Sequence, residues 1–452
     1  MSVEDVDITA YTHIHFAFAT LNADYSINTT TISSQLPFLQ GMTGIKRIIS
    51  IGGWSFSTDP STYTIFRTAV SSEANRETLI SNVITFLNDY DLDGVDWDWE
   101  YPDEPDIPGI PAGTAADAIG YFLLLDELRT AMPSGKTISL TLPASFWYLQ
   151  YFPIAAISAV VDYVVFMTYD LHGQWDYGNA FSDTGCSAGD CLRSHINITE
   201  TINALSMITK AGVPSNMVVV GVSSYGRSFQ MTTAGCWTEE CTFTGPLSGA
   251  LPGPCTGTAG YISDYEINSI ASSNPTVEVY FDDNSYSNIV VYNETQWVAY
   301  MNDSNKATRK SLYADLTFLG SADWAVDLQS IDGDGAASSG SSSDNETVYI
   351  NPNIWSSATM EVTALPGMTL IWPPMPLAST TTISFPLWTT TISYSSLTTV
   401  TSVADGSTSI YPSYIFVSWL TILTIPSGEY LFALICFRRI TRLLRSTNSK
   451  LN

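Results

Sequence analysis

From about residue 12 to about residue 330 the chain alternates between short apolar runs and longer stretches in which apolar positions recur every three or four residues. The short runs fall at 12–19, 47–52, 94–99, 137–142, 163–169, 218–223 and 322–326. Most are continuously apolar rather than alternating, the pattern of strands covered on both faces. The stretches at 74–90, 115–131, 199–211 and 305–318 read as amphipathic helices lying between them. Repeated βα units of this size predict an α/β fold with a parallel sheet closed into a TIM-type barrel. A doubly wound open sheet is the alternative, but no glycine-rich nucleotide loop follows an early strand.

The interval between the runs at 218–223 and 322–326 breaks the rhythm. Its first part is rich in Gly, Cys and Thr, and 277–292 reads as short antiparallel strands around Asp282, Asp283 and Asn284. A small α+β insertion over 228–292 is expected, mounted on the rim of a catalytic barrel spanning 1–332. Beyond it, DGDGAASSGSSSDNET opens a linker and irregular segment, 333–377. A Ser/Thr-rich stretch, 378–413, reads as a disordered or O-glycosylated stalk. The tail, 414–452, is apolar and then basic, with Arg438, Arg439, Arg442 and Arg445. It reads as a membrane helix with a cationic flank, interrupted by Pro426, Gly428 and Glu429, or as translated intron in the gene sequence.

Charge narrows the partners. Seventeen basic against 44 acidic residues leave a net charge of −27, a field that repels phosphate backbones and argues against nucleic acid. It does not disfavour a neutral polysaccharide, which the 24 Tyr and 12 Trp suit. Of six cysteines, Cys186 and Cys191 lie close together, as do Cys236, Cys241 and Cys255, while Cys436 stands alone. No histidine pair accompanies either group, so local disulfides with one odd thiol are expected rather than a metal site. Sequons at Asn28, Asn197, Asn293, Asn302 and Asn345 fit a secreted protein. Yet the chain opens MSVEDVDITAYTHIHFAF, with no basic start or apolar signal core.

The chemistry concentrates in Asp93-Gly94-Val95-Asp96-Trp97-Asp98-Trp99-Glu100-Tyr101. On a strand, side chains alternate faces, so Asp96, Asp98 and Glu100 share one side and Asp93 falls out of phase. Three carboxyls on one buried face cannot all ionise, so at least one pKa must rise. That keeps a carboxylic acid protonated near neutral pH and able to donate. Glu100, last in the row, belongs at the C-terminal end of the strand, where barrel active sites form. Trp97 and Trp99 alternate with the acids and should pack in the core. His172, with no second histidine nearby, reads as structural.

This segment resembles the DxxDxDxE signature of family 18 glycoside hydrolases, the chitinases. Ser50-Ile51-Gly52-Gly53-Trp54 is similar to the family's SxGG motif, and Met167-Thr168-Tyr169-Asp170 to its MxYD motif. Ser224 to Phe229 resembles its YGRSF segment, and Asp323-Trp324-Ala325 its last strand. The Cys-rich insertion and GYISDYEI look most like fungal chitinases related to the killer-toxin α subunit. The resemblance covers about residues 5–330.

The resemblance implies a retaining, substrate-assisted mechanism, an exception to the two-carboxylate scheme. Glu100 is then the acid and later the base. Asp98 orients the substrate's acetamido group and shares a proton with Asp96, and Tyr169 bonds the acetamido oxygen. Trp324 floors the subsite of the distorted sugar, with Tyr101, Met167 and Asp170 lining it. Gly52, Gly53 and Trp54 form the cleft wall, Arg227 and Trp175 neighbouring subsites, and Ser50 and Asp93 support the acids. No metal or cofactor is implied. The expected partner is chitin or chito-oligosaccharide, acted on by a secreted monomer. The run at 12–19 matches the family's second strand, so the first barrel strand is expected to be missing, as in a truncated gene product. Competing readings are an endo-β-N-acetylglucosaminidase, a chitin-binding lectin on a dead barrel, and a killer-toxin-like docking protein; retention of Glu100 argues against the lectin.

Overall fold

The computed structural model describes residues 3–182, 184–273 and 276–329, and beyond these only the backbone of short strands. Strands β1 (His13–Leu21), β2 (Ile27–Asn28), β3 (Lys46–Gly52), β4 (Gly94–Asp98), β5 (Thr137–Pro143), β6 (Tyr163–Met167) and β7 (Val218–Ser223) come first. An insertion follows, carrying β8 (Tyr225–Gln230), β9 (Tyr261–Ser263), β10 (Glu278–Asp282), β11 (Ser287–Tyr292) and β12 (Gln296–Tyr300), and then β13 (Gly320–Trp324). The main sheet has the order β13-β7-β6-β5-β4-β3-β1-β2. Every pair in it is parallel except β1 with the two-residue β2. A curled parallel sheet with intervening helices is the α/β barrel anticipated from the apolar runs.

The strands run parallel because each is returned by a helix whose start is written in the sequence. Ser72 caps Glu73–Asp89 by accepting from the Asn75 N–H. Thr114 and Asp117 form a capping box on Ala115–Ala131. Asn197 accepts from the Thr199 and Glu200 N–H groups at the head of Ile198–Lys210. The outward faces of these strands make the apolar core against the helices: Ile49, Ile51, Val95, Trp97, Leu140, Val164, Phe166 and Val220 are all fully buried.

β13 and β1 end the parallel set, and among the described residues no strand pairs between them. Side chains span that seam: the Phe18 and Trp324 rings are 5.3 Å apart, and Gln329 donates to the Tyr11 hydroxyl at 3.0 Å. The insertion is an antiparallel sheet of order β10-β11-β12-β8-β9. It reaches from Tyr225 to Tyr300, wider at both ends than the 228–292 expected. Phe229, Phe243, Ile289, Val291 and Trp297 make its own core. Disulfides join Cys186 to Cys191 and Cys236 to Cys241, and Cys255 is a free, exposed thiol.

Residues 1–310 with 319–337 form one unit; 311–318 with 338–452 form a second. In the latter the longest described feature is an antiparallel strand pair, Ser396–Ala404 with Ser407–Ile415. The linker, stalk and apolar-basic tail read from the sequence otherwise lie outside the described residues. Among the described residues no helix is long and apolar enough to cross a membrane.

Candidate active site

Strand β4 is buried along its whole length. Its outward residues are Val95 and Trp97, with Trp99 just beyond. Phe66 stacks on Trp99 with centroids 5.2 Å apart, and Trp97 and Tyr121 add edge contacts. That packing fixes the strand's rotation, so Asp96 and Asp98 must face inward. The strand ends at Asp98, one residue short of the expected 99. Glu100 sits past its end, with its backbone N–H donating to Ser57 Oγ at 3.1 Å.

Asp96 accepts from Ser50 Oγ at 2.9 Å and Ser139 Oγ at 2.7 Å, and His15 Nδ1 lies 3.4 Å from its Oδ2. Burial pushes this carboxyl up, but His15 and the two serines outweigh it and hold Asp96 below its ordinary value. Asp98 accepts from Thr141 Oγ1 at 2.5 Å. Its burial, opposed by the Thr141 bond and reinforced by the Asp96 charge, pushes it up to about 7. Glu100 keeps a partly open face, yet the surrounding protein desolvates its carboxyl and the Asp98 charge adds to that. Bonds from the Tyr101 hydroxyl and the Trp54 N–H offset only part, and Glu100 stays well above its usual range. No direct hydrogen bond joins Asp96 to Asp98 among the described residues, so the shared proton implied by the resemblance is not seen as a bond between them.

Glycines let the next strand approach. At Gly52, φ is +124° and an added Cβ would fall 2.1 Å from the Asp98 carbonyl oxygen. The Gly53 N–H donates to that same oxygen at 2.8 Å. Trp54 then opens a short helix, Trp54–Thr58, half exposed and edge-on to Tyr101 at 6.5 Å. Tyr101 stacks on Tyr148 at 4.7 Å.

Across the barrel, Met167 ends β6. Tyr169 is buried, and its phenol is pushed far up by that burial and then by the charges of Asp98, Asp170, Glu100 and Asp323. Asp170, at φ +55°, accepts from Arg227 Nε at 2.8 Å, Arg227 Nη2 at 2.6 Å and the Tyr225 hydroxyl at 2.7 Å. Burial opposes its ionisation, but Arg227 and His195 win and hold it well below the usual carboxylate range. The Trp175 ring, half exposed, lies over the Arg227 guanidinium at 4.8 Å. His172 bridges Asp176 at 2.8 Å and Glu200 at 3.0 Å and so clamps the loop that carries Trp175.

The barrel therefore gathers Ser50, Gly52, Gly53, Trp54, Asp96, Asp98, Glu100, Tyr101, Tyr169 and Asp170 around one row of acids, with Arg227 and Trp175 attached through Asp170. Trp324 stands at the end of β13 against Phe18. Asp93 is not among them. It lies at the opposite end of β4, roughly 20 Å along the strand from Glu100, and accepts from Arg47 Nε at 3.1 Å. The sequence reading missed His15, Ser139, Thr141 and Tyr163. Their signal was alternation: His13 and His15 in β1, and Thr137, Ser139 and Thr141 in β5, recur every second residue between apolar ones, and Tyr163 opens β6. A cavity of about 90 Å³ beside Trp237 and Asp282 on the insertion holds none of these residues. Cys186, Asp190 and Cys191 cluster, but the two sulfurs are bonded to each other and offer no metal ligand.

Residues 2–328 match the family described as Glycosyl hydrolases family 18. The chain is 50% identical over 333 residues to "Secreted chitinase LysM12" of Penicillium expansum, covering 72% of this chain and 22% of that protein. It is 39% identical over 326 residues to "Killer toxin subunits alpha/beta" of Kluyveromyces lactis, covering 72% of this chain and 27% of that one. The chain thus spans about a quarter of the length of each of these two relatives. Among solved structures, Ostrinia furnacalis Group II chitinase catalytic domain 2 superposes with a TM-score of 0.62 at 26% identity, covering 73% of this chain and 85% of that one.

Proposed function

The chain belongs to glycosyl hydrolase family 18, and from that premise we propose that it hydrolyses β-1,4 N-acetylglucosamine linkages in chitin or chito-oligosaccharides, with Glu100 as the acid. The observation that carries this reading is a carboxyl just past the C-terminal end of β4 that is pushed well above its usual range, first of all by burial. Glu100 gives its proton to the glycosidic oxygen, and the departing sugar leaves as an alcohol. The substrate's own acetamido oxygen forms the new bond at the anomeric carbon, giving an oxazolinium ion with no entropy spent on bringing in a nucleophile. Asp98 and Tyr169 hold the acetamido group. The Asp96–Asp98 pair, carrying one proton and one negative charge, stabilises the positive ring. Glu100, now a carboxylate, takes a proton from water as the hydroxyl bonds to the anomeric carbon and the bond to the acetamido oxygen breaks, its electron pair restoring the neutral acetamide. The hydroxyl enters on the face the leaving group left, so configuration is retained. Trp324, Met167 and Tyr101 line the subsite, and Trp54, Trp175 and Arg227 its neighbours.

We place the protein outside the cell, on the strength of its disulfides, its sequons and its relationship to a chitinase named as secreted. The test is hydrolysis of a chito-tetramer by the wild type and by Glu100→Gln, with product anomers followed by NMR. The wild type should release the β-anomer first, and the variant should lose at least about 100-fold in kcat. Equal rates, or first release of the α-anomer, would overturn the mechanism. Wild-type binding with no turnover would favour a lectin.

A further inference from the structure

Beneath the catalytic row lies a tier of polar groups whose members come from five strands. Register aligns Ser50 with Asp96, Asp96 with Ser139, and Ser139 with Tyr163. His15 of β1 reaches into this tier from below, since it pairs with Ile48, which in turn pairs with Gly94. Its imidazole makes two contacts: Nε2 is 2.7 Å from the Tyr163 hydroxyl, and Nδ1 is 3.4 Å from Asp96 Oδ2. Both partners are buried, Asp96 at 2% and Tyr163 at 7% exposure.

A neutral imidazole carries one hydrogen, and the bond made by one nitrogen decides where it sits. Burial keeps the Tyr163 phenol protonated, as does the Asp96 charge. With the phenol donating to Nε2, a neutral imidazole carries its hydrogen on Nδ1, the nitrogen that lies 3.4 Å from Asp96 Oδ2. The ionisable groups facing His15 are Asp96 from β4, Tyr163 from β6 and, on its own strand, His13, whose ring meets Tyr163 edge-on at 5.7 Å. From β3 it meets the uncharged Ile48.

We propose that His15, its tautomer set by Tyr163, is a positioning residue that holds Asp96 as the ionised member of the Asp96–Asp98 pair. This rests on the glycosidase reading and gives it a mechanism for proton placement. The pair works only while it has one proton and one charge. If Asp96 also takes a proton, the neutral pair cannot stabilise an oxazolinium cation. His15 thereby sets how far into acid the site keeps working.

The experiment is a pH–rate profile on a chito-tetramer for the full chain, His15→Asn and Tyr163→Phe, together with titration of the Asp96 carboxyl by ¹³C NMR. His15→Asn should move the acid limb of kcat upward by about one pH unit, with KM little changed. Tyr163→Phe should move it the same way by less, and it decides alone if His15→Asn does not fold. The Asp96 titration should rise in parallel. A uniform loss of kcat with an unmoved profile, or an unchanged Asp96 midpoint, overturns the proposal. If the wild type hydrolyses nothing, the glycosidase reading fails. The Asp96 midpoint then decides the His15 contact on its own, upheld by an upward shift and overturned by none.

Discussion

Gly52→Ala isolates the contact on which the acids' geometry rests. Gly52 is paired with Asp98 across β3 and β4. A Cβ there would meet the Asp98 carbonyl oxygen at 2.1 Å, the carbonyl carbon at 2.8 Å and the Phe66 ring at 3.2 Å, whereas real Cβ atoms keep at least 3.0 Å. The first two are backbone atoms and cannot swing aside, so the strands must part by about 0.9 Å. The φ of +124° adds strain for any residue with a Cβ. That movement passes through the Asp98 backbone to Glu100 two residues on, and loosens the bonds from the Gly53 N–H and Thr141. A displacement of about 1 Å at a catalytic group costs on the order of 100-fold, so kcat on a chito-tetramer should fall by about that factor. Overpacking should also cost about 1–3 kcal/mol of stability, read by urea denaturation. The control is Gly41→Ala, where an added Cβ meets nothing within 4 Å and both quantities should hold. A folded Gly52→Ala protein with wild-type kcat would refute the idea that this close approach sets the acids.

Two further outcomes follow from the charges. Asp98 titrates near 7, above its unfolded value, so its contribution to stability is complete at low pH and is lost as pH rises through about 7. Wild-type activity should decline over the same range, and Asp98→Asn should flatten that part of the stability–pH curve while losing activity. Lys306 is buried with its Nζ 3.5 Å from Asp264, 3.3 Å from Asp323 and 2.7 Å from Ser224 Oγ. Lys306→Met strands those carboxyls and should cost about 3–5 kcal/mol, measured by chemical denaturation.

The parts of this protein that could be read from its sequence are those governed by local rules. Period-two alternation placed Asp96 and Asp98 on one side of β4 and Trp97 on the other, and the recurrence of apolar positions every three or four residues placed the helices Glu73–Asp89 and Ala115–Ala131. What escaped depends on which strands become neighbours and in what register. Ser139 and Thr141 touch the acids only because β5 lies beside β4, and His15 reaches Asp96 and Tyr163 only because the sheet curls. Asp93 shows the converse. Proximity in sequence suggested a supporting role beside the acids, but along an extended strand a few residues carry a side chain to the opposite end of the barrel.

Burying Asp96 and Asp98 with Glu100 beside them opposes folding, since each carboxyl loses hydration and Asp98 and Glu100 are pushed up by their neighbours. The strand that bears this cost also offsets it. Trp97 and Trp99 on its outer face are almost wholly buried against Phe66 and Tyr121, and full burial of each large apolar side chain is worth roughly 1.5–3 kcal/mol. The two functions of β4 are therefore mechanically one. The indoles cannot rotate out of their core without turning the acids, and the acids cannot relax toward solvent without unpacking the indoles. Rigidity at the site thus comes from outside the barrel lumen. Within the lumen, Ser50, Ser139, Thr141 and His15 supply hydrogen bonds that decide which carboxyl is charged, leaving the aromatic shell to decide where all of them stand.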